Sequence, residues 1–157
     1  MARQLLLTLA AEKHSLPATE TKGASLIKIW LASKGIDAKE LVVENGSGLS
    51  RIERINAAHL GQMLVGAYLS PVMPELIASL PILAQDGTIK KRLDTSLVAG
   101  RAHLKTGSLD GVSAIAGYVL DKNNRRHAIV MMINHANAGA SKNAQDALIE
   151  TIFNNAI

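Results

Sequence analysis

The sequence predicts an α+β fold, and three observations predict it. Helical periodicity dominates residues 2–69, three strand-like runs joined by hairpin-type turns lie between 101 and 135, and an amphipathic helix closes the chain. Helices first, then a three-stranded antiparallel meander, then a closing helix is an α+β order of elements.

Each element follows from local pattern. Residues 2–13 read as a helix with Leu5, Leu6, Leu9 and Ala10 on one face and no capping residue ahead of it. The same stretch, "MARQLLLTLA", lacks a small-residue cleavage site after its apolar run, so a helix is expected rather than a leader, and no export signal is read in the chain. Residues 21–34 form a second helix, with Leu26, Ile27, Trp30 and Leu31 on one side and Gly35 at its end. "AKELVVENGSGLS" reads as a short strand entering a Gly/Ser-rich turn. A third helix over 57–69 is capped by Asn56, with Leu60, Met63, Leu64 and Ala67 inward. A Pro-punctuated stretch follows, with a short helix near 74–79 and a turn at Asp86-Gly87. The strands are expected at 101–108, 112–121 and 126–135, turning at Asp110-Gly111 and Asn123-Asn124. The last helix, 141–155, places Ala144, Leu148, Ile149 and Ile152 on one face.

Composition bounds the rest. At 157 residues the length suggests one domain; 48% apolar residues supply an aliphatic core, and 19% charged residues argue against disorder. A net charge of +4 without long basic runs or interleaved aromatics points away from nucleic acid. No cysteine is present, which excludes disulfides, thiolate chemistry and Cys-based zinc sites. No apolar run approaches a membrane span. His14, His59, His103, His127 and His135 show no metal-ligand spacing, so neither a metal nor another cofactor is expected.

The stretch "HLKTGSLDGV" (103–112) carries the chemistry. On a strand Lys105 and Gly107 share one face while Thr106 and Ser108 share the other. A glycine inside a strand weakens it and often marks close approach by a ligand or another backbone. An ammonium and two hydroxyls around that bare spot can hold a carboxylate and leave strand edge for a peptide-like substrate.

Serine acyl-enzymes combine K-T-G with S-x-x-K and S-x-N. Ser25-x-x-Lys28 and Ser141-Lys142-Asn143 match in letters. Ser25 and Lys28 fall on the solvated side of their helix with Lys22, unlike a nucleophile beside a lysine of tuned charge. Ser141 sits where the final helix begins and reads as an N-cap.

Three segments in order, "LVVENGSGLSRIERI" (41–55), "LPILAQDGTIKKRL" (80–93) and "AHLKTGSLDGVSAIAGYV" (102–119), resemble the C-terminal part of the class C low-molecular-mass penicillin-binding proteins. These are serine-type D-alanyl-D-alanine carboxypeptidases and endopeptidases. The resemblance implies a partial penicillin-binding/β-lactamase-like transpeptidase fold, with peptidoglycan stem peptides and β-lactams as partners of a full-length parent in the periplasm or cell envelope. In that family S-x-N precedes K-T-G, so Ser141-Lys142-Asn143 stands in the wrong order, and the chain is expected to begin after both upstream motifs. Lys105 then matches the lysine of the proton and charge network. Thr106 and Ser108 match the hydroxyls at the substrate's terminal carboxylate, and Gly107 leaves room for the acyl group. Ser47, Ser50 and Arg51 in "NGSGLSR" are expected to brace the fold. One oxyanion donor would come from the K-T-G strand. Lacking the nucleophile, the chain is expected to be inactive by itself. The alternative is a non-catalytic module that binds peptidoglycan peptides or a partner. The apolar centre of the third strand, residues 128–133, suits a strand buried on both sides, so an exposed edge there predicts self-association through a homodimer.

Overall fold

The computed structural model describes residues 1–14 and 16–154. The chain divides into two compact units, residues 1–63 and 64–157.

The first unit holds α1 (Ala2–Lys13) and α2 (Glu20–Ser33). Leu6 and Ala10 of α1 are buried, whereas Leu5 and Leu9 on the expected face stay exposed. Gly23 of α2 lets the helices approach, because a Cβ there would lie 2.6 Å from Leu6 Cγ. Thr19 caps α2 by accepting from the Lys22 N–H. Past its end, Gly35 takes φ +76° and Ile36 N–H returns to the Leu31 carbonyl, a turn suited to glycine. The expected apolar side of α2 is only half right: Leu31 is buried in a cluster with Ile36, Ala38 and Leu41, but Trp30 is 51% exposed. The strand expected near 41–43 is a single bridge between Val42 and Arg54. Side-chain bonds of Asn45, Ser47 and Ser50 to nearby N–H groups favour a turn over a ladder there. Asn56 accepts from the His59 N–H at 2.7 Å and so caps α3 (Ala57–Tyr68) as expected, and α3 runs across the division of units.

The second unit is built on a three-stranded antiparallel sheet in the order β1 (Ala102–Leu109), β2 (Val112–Leu120), β3 (Arg126–Asn134). Both hairpin turns fall where expected, with Gly111 and Asn124 at positive φ. One sheet face carries Ala102, Leu104, Ile115, Val119 and Ile129 into a cluster with Leu83, Ile89 and Val98. The cluster is closed by Ile149, Ile152 and Phe153 of α5 (Lys142–Phe153), which follows the short helix α4 (Met73–Ala78). Residue 155, the expected helix end, lies outside the described residues. Ala144 is exposed, and Gln145 takes the buried place beside it because buried Arg92 gives its amide a partner. On the opposite sheet face Tyr118 donates to the Leu64 carbonyl at 2.6 Å.

The β2–β3 turn is locked by Asp121, which is fully buried. It accepts from the N–H groups of Asn123 and Arg125, from the Arg125 guanidinium and from His127. Burial alone would raise its pKa, but those donors outweigh burial and hold the carboxyl well below the usual carboxylate range. Because the folded-state pKa is the lower one, the stabilisation is complete above the ordinary carboxylate range and disappears as protonation sets in below it. Replacing Asp121→Asn should lower the melting temperature at neutral pH, and the gap to wild type should shrink as the pH falls below about 4, measured by circular dichroism melts across pH.

Candidate substrate-binding strand

In β1 each residue turns its N–H and C=O to one edge of the strand, alternating along the chain. Arg101 and the odd-numbered residues that follow face β2: the Leu120 N–H donates to the Arg101 carbonyl, and His103 pairs with Tyr118. The even-numbered residues face outward. Ala102 accepts from the Leu83 N–H at 2.9 Å, and Leu104 donates to the Pro81 carbonyl at 2.8 Å. Residues 81–83 therefore cover the outer edge as far as Leu104. Beyond it, the same parity turns the backbone groups of Thr106 and Ser108 to an edge that this cover does not reach.

The four residues singled out in the sequence lie together on this open half. Lys105, Gly107 and Ser108 are exposed, and Thr106 is half-buried. The Lys105 ammonium donates to the Thr106 carbonyl at 2.6 Å, on the open edge. Lys105 pairs with Ala116 and Gly107 with Ala114, so small residues keep the sheet surface beside the lysine shallow. Thr106 and Ser108 lie on the face that carries Ala102 and Leu104 into the core, but at this end the face turns polar. The Thr106 hydroxyl is 2.6 Å from the Thr88 hydroxyl. Ser113, the cross-strand partner of Ser108, accepts from the Gln145 amide at 2.9 Å. Gln145 Oε1 accepts in turn from Arg92, whose guanidinium also donates to Asp146 Oδ1 at 2.8 and 2.6 Å. A buried, charge-assisted chain thus underlies the end of the strand.

Two glycines differ in what demands them. At Gly117 a Cβ would lie 2.1 Å from the His103 carbonyl oxygen, and φ is +146°, so the sheet itself requires glycine. At Gly107 a Cβ would meet only Ala114 Cβ, at an ordinary 3.7 Å. The fold has room for a side chain at 107.

The other matched motifs are locally consumed. Ser25 donates to the Lys22 carbonyl within α2, and Lys28 is exposed. Ser141 occupies the N-cap position of α5 but makes no capping bond; its hydroxyl oxygen is buried and without a hydrogen-bond partner. Its backbone, at φ −75° and ψ −2°, already lies in the helical region rather than the extended region of a capping residue. Ser50 accepts from the Ile52 and Glu53 N–H groups, a turn-bracing role. His59 bonds Glu40, His103 approaches the Ile77 carbonyl and His127 bonds Asp121. Among the described residues no cluster of three or more His, Asp or Glu could hold a metal. Sequence reasoning missed Thr88 and Gln145; the only signal for the first was the Asp86-Gly87 turn just before it.

A helix-backed antiparallel sheet whose first strand carries Lys-Thr-Gly on an open edge defines the penicillin-binding and β-lactamase-like class. The comparisons agree. The chain belongs to the D-Ala-D-Ala carboxypeptidase 3 (S13) family, whose model matches residues 1–154. It is 33% identical over 144 residues to the carboxypeptidase DacB of Mycolicibacterium smegmatis, covering 88% of this chain and 31% of that protein. Penicillin binding protein 4 of Haemophilus influenzae superposes with a TM-score of 0.81 at 25% identity, covering 94% of this chain and 36% of that one. A class A β-lactamase representative from Bacteroides cellulosilyticus shares the fold at a TM-score of 0.60 and 22% identity, covering 83% of this chain and 55% of that one. The chain thus spans about a third of the M. smegmatis and H. influenzae proteins.

Alanine at the two glycines should separate fold from site. Thermal melts should show Gly117→Ala losing more than about 3 kcal/mol, from strain and backbone overlap, and Gly107→Ala staying within about 1 kcal/mol of wild type.

Proposed function

We propose that residues 1–157 are the C-terminal portion of a penicillin-binding, D-Ala-D-Ala peptidase domain, and that the open half of β1 is its substrate-side wall. The parent would hydrolyse the D-alanyl-D-alanine end or cross-link of peptidoglycan stem peptides through a serine acyl-enzyme in the periplasm, and β-lactams would acylate the same serine. The H. influenzae protein has been solved in complex with a β-lactam. Within this wall Lys105 joins the charge network at the nucleophile, and Thr106 and Ser108 receive the terminal carboxylate. Gly107 keeps the acyl path clear. The edge-facing N–H groups of Thr106 and Ser108 are the donors that the strand can offer to a substrate carbonyl or an oxyanion.

The observation that carries this reading is where the cover on β1 stops. Residues 81–83 bond the outer edge at the Ala102 carbonyl and the Leu104 N–H, and beyond that N–H the cover stops, just ahead of the Thr-Gly-Ser run. Gly107 supports it, since nothing in the sheet forbids a side chain there. Titrating the chain with diacetyl-Lys-D-Ala-D-Ala and following backbone amides by NMR tests it. Shifts at residues 105–109 that Gly107→Ala abolishes are expected; saturating peptide without shifts there would sink the assignment.

Taken alone, the chain is proposed to be inactive. Ser25, its only serine spaced as in S-x-x-K, gives its proton to a helix carbonyl beside an exposed lysine. Incubation with a fluorescent penicillin should leave its mass unchanged, and an adduct on Ser25 would refute this. A chain that binds the peptide but is never acylated would act as the non-catalytic binding module.

Self-association is proposed through β3. It stands at the edge of the three-stranded sheet with residues 128–133 all apolar. Unpaired, apolar strand edges recruit further strands. Light scattering should report a dimer, and a clean monomer would count against it.

A further inference from the structure

We infer that Thr88 is a positioning residue for the carboxylate-binding hydroxyl of Thr106. This rests on the reading of β1 as the substrate strand. The two hydroxyl oxygens are 2.6 Å apart, and either can be the donor. A hydroxyl carries a single proton, and an ionised carboxylate only accepts. If Thr106 gave its proton to Thr88, it would turn a lone pair toward the arriving anion. With a carboxylate bound, Thr88 must therefore donate to Thr106, which frees the Thr106 proton to point at the ligand. A chain of hydroxyls ordered in this way strengthens its terminal bond.

Thr88 is built to hold that place. It is itself exposed, but its neighbours are fixed. Ile89 is fully buried in the core cluster behind β1. Gly87 takes φ +56°, and a Cβ there would come within 2.9 Å of Pro81. Asp86 clamps the start of the turn by accepting from the Ile82 N–H at 2.6 Å. The Pro81 and Leu83 that cover the first half of β1 thus also set the height at which Thr88 meets the second half. A side chain held only for stability would not need its hydroxyl aimed at that of a residue on the open half of the strand.

The test compares two probes, diacetyl-Lys-D-Ala-D-Ala and the same peptide with a C-terminal carboxamide, by NMR titration of the whole chain. Thr88→Val should weaken binding of the free acid about fivefold, the size of one neutral hydrogen bond, while barely changing binding of the amide. Thr88→Ser should restore wild-type binding. In a Thr106→Val background, Thr88→Val should cost nothing further, because its effect passes through Thr106. Circular dichroism melts of the Thr88 variants should coincide with that of the unaltered chain, as Thr88 is exposed. Equal losses for acid and amide, or additive losses in the double variant, would overturn the inference. If Thr106→Val weakens the acid and Thr88→Val does not, this inference alone falls. If the unaltered chain leaves residues 105–109 unmoved by the acid, the reading of β1 falls and takes this inference with it.

Discussion

Every backbone N–H and C=O in a strand has to find a partner, and on β1 the two edges meet that demand differently. The inner edge is satisfied along its length by β2. The outer edge is bonded by residues 81–83 at Ala102 and at the Leu104 N–H and not beyond, because the antiparallel cover would have to continue into residues 79 and 80, which close the end of α4 instead of extending as a strand. That half-met demand organises the second unit. It fixes which residues of β1 are structural and which are offered outward, and it brings the 86–89 turn against the exposed half. It also leaves the buried Arg92–Gln145–Ser113 chain to support the sheet's face where apolar packing ends.

Much of this was legible in the sequence. Strand-like runs and the Asp110-Gly111 and Asn123-Asn124 turns located all three strands within a residue or two, since hairpin chemistry is local. Capping at Asn56 and termination at Gly35 were legible for the same reason. Lys-Thr-Gly-Ser could be placed on a strand and its side chains sorted by face. What escaped were properties set by distant partners. Gln145 reads as polar and outward until Arg92, far away in sequence, is known to lie beside it. Trp30 reads as core by its chemistry, yet no element of its own unit covers it. The pairing of residues 81–83 with β1 carries no periodic signal, because it amounts to one isolated bridge and a few backbone bonds.

The two glycines of the sheet show how far letters alone can go. Sequence marks both as weak points in strands. Only the geometry separates Gly117, where the His103 carbonyl fills the space of a side chain, from Gly107, where space remains. The first is a condition of folding, while at the second the sheet sets no such condition.

The Lys105 ammonium resting on the Thr106 carbonyl has a consequence for what the open edge accepts. An unprotected edge welcomes any extended chain, which is how sheets polymerise, and a lysine is one of the common guards against it. Here the guard occupies an outward acceptor on the open half. A neutral strand adding to this edge must strip the ammonium from its carbonyl and leave the charge without a partner. A peptide ending in a carboxylate offers that charge a counterion as it arrives. On the proposed reading of β1, the same side chain is a toll for generic strand addition and an invitation to anionic chain ends, which would make solubility and selectivity depend on one cation.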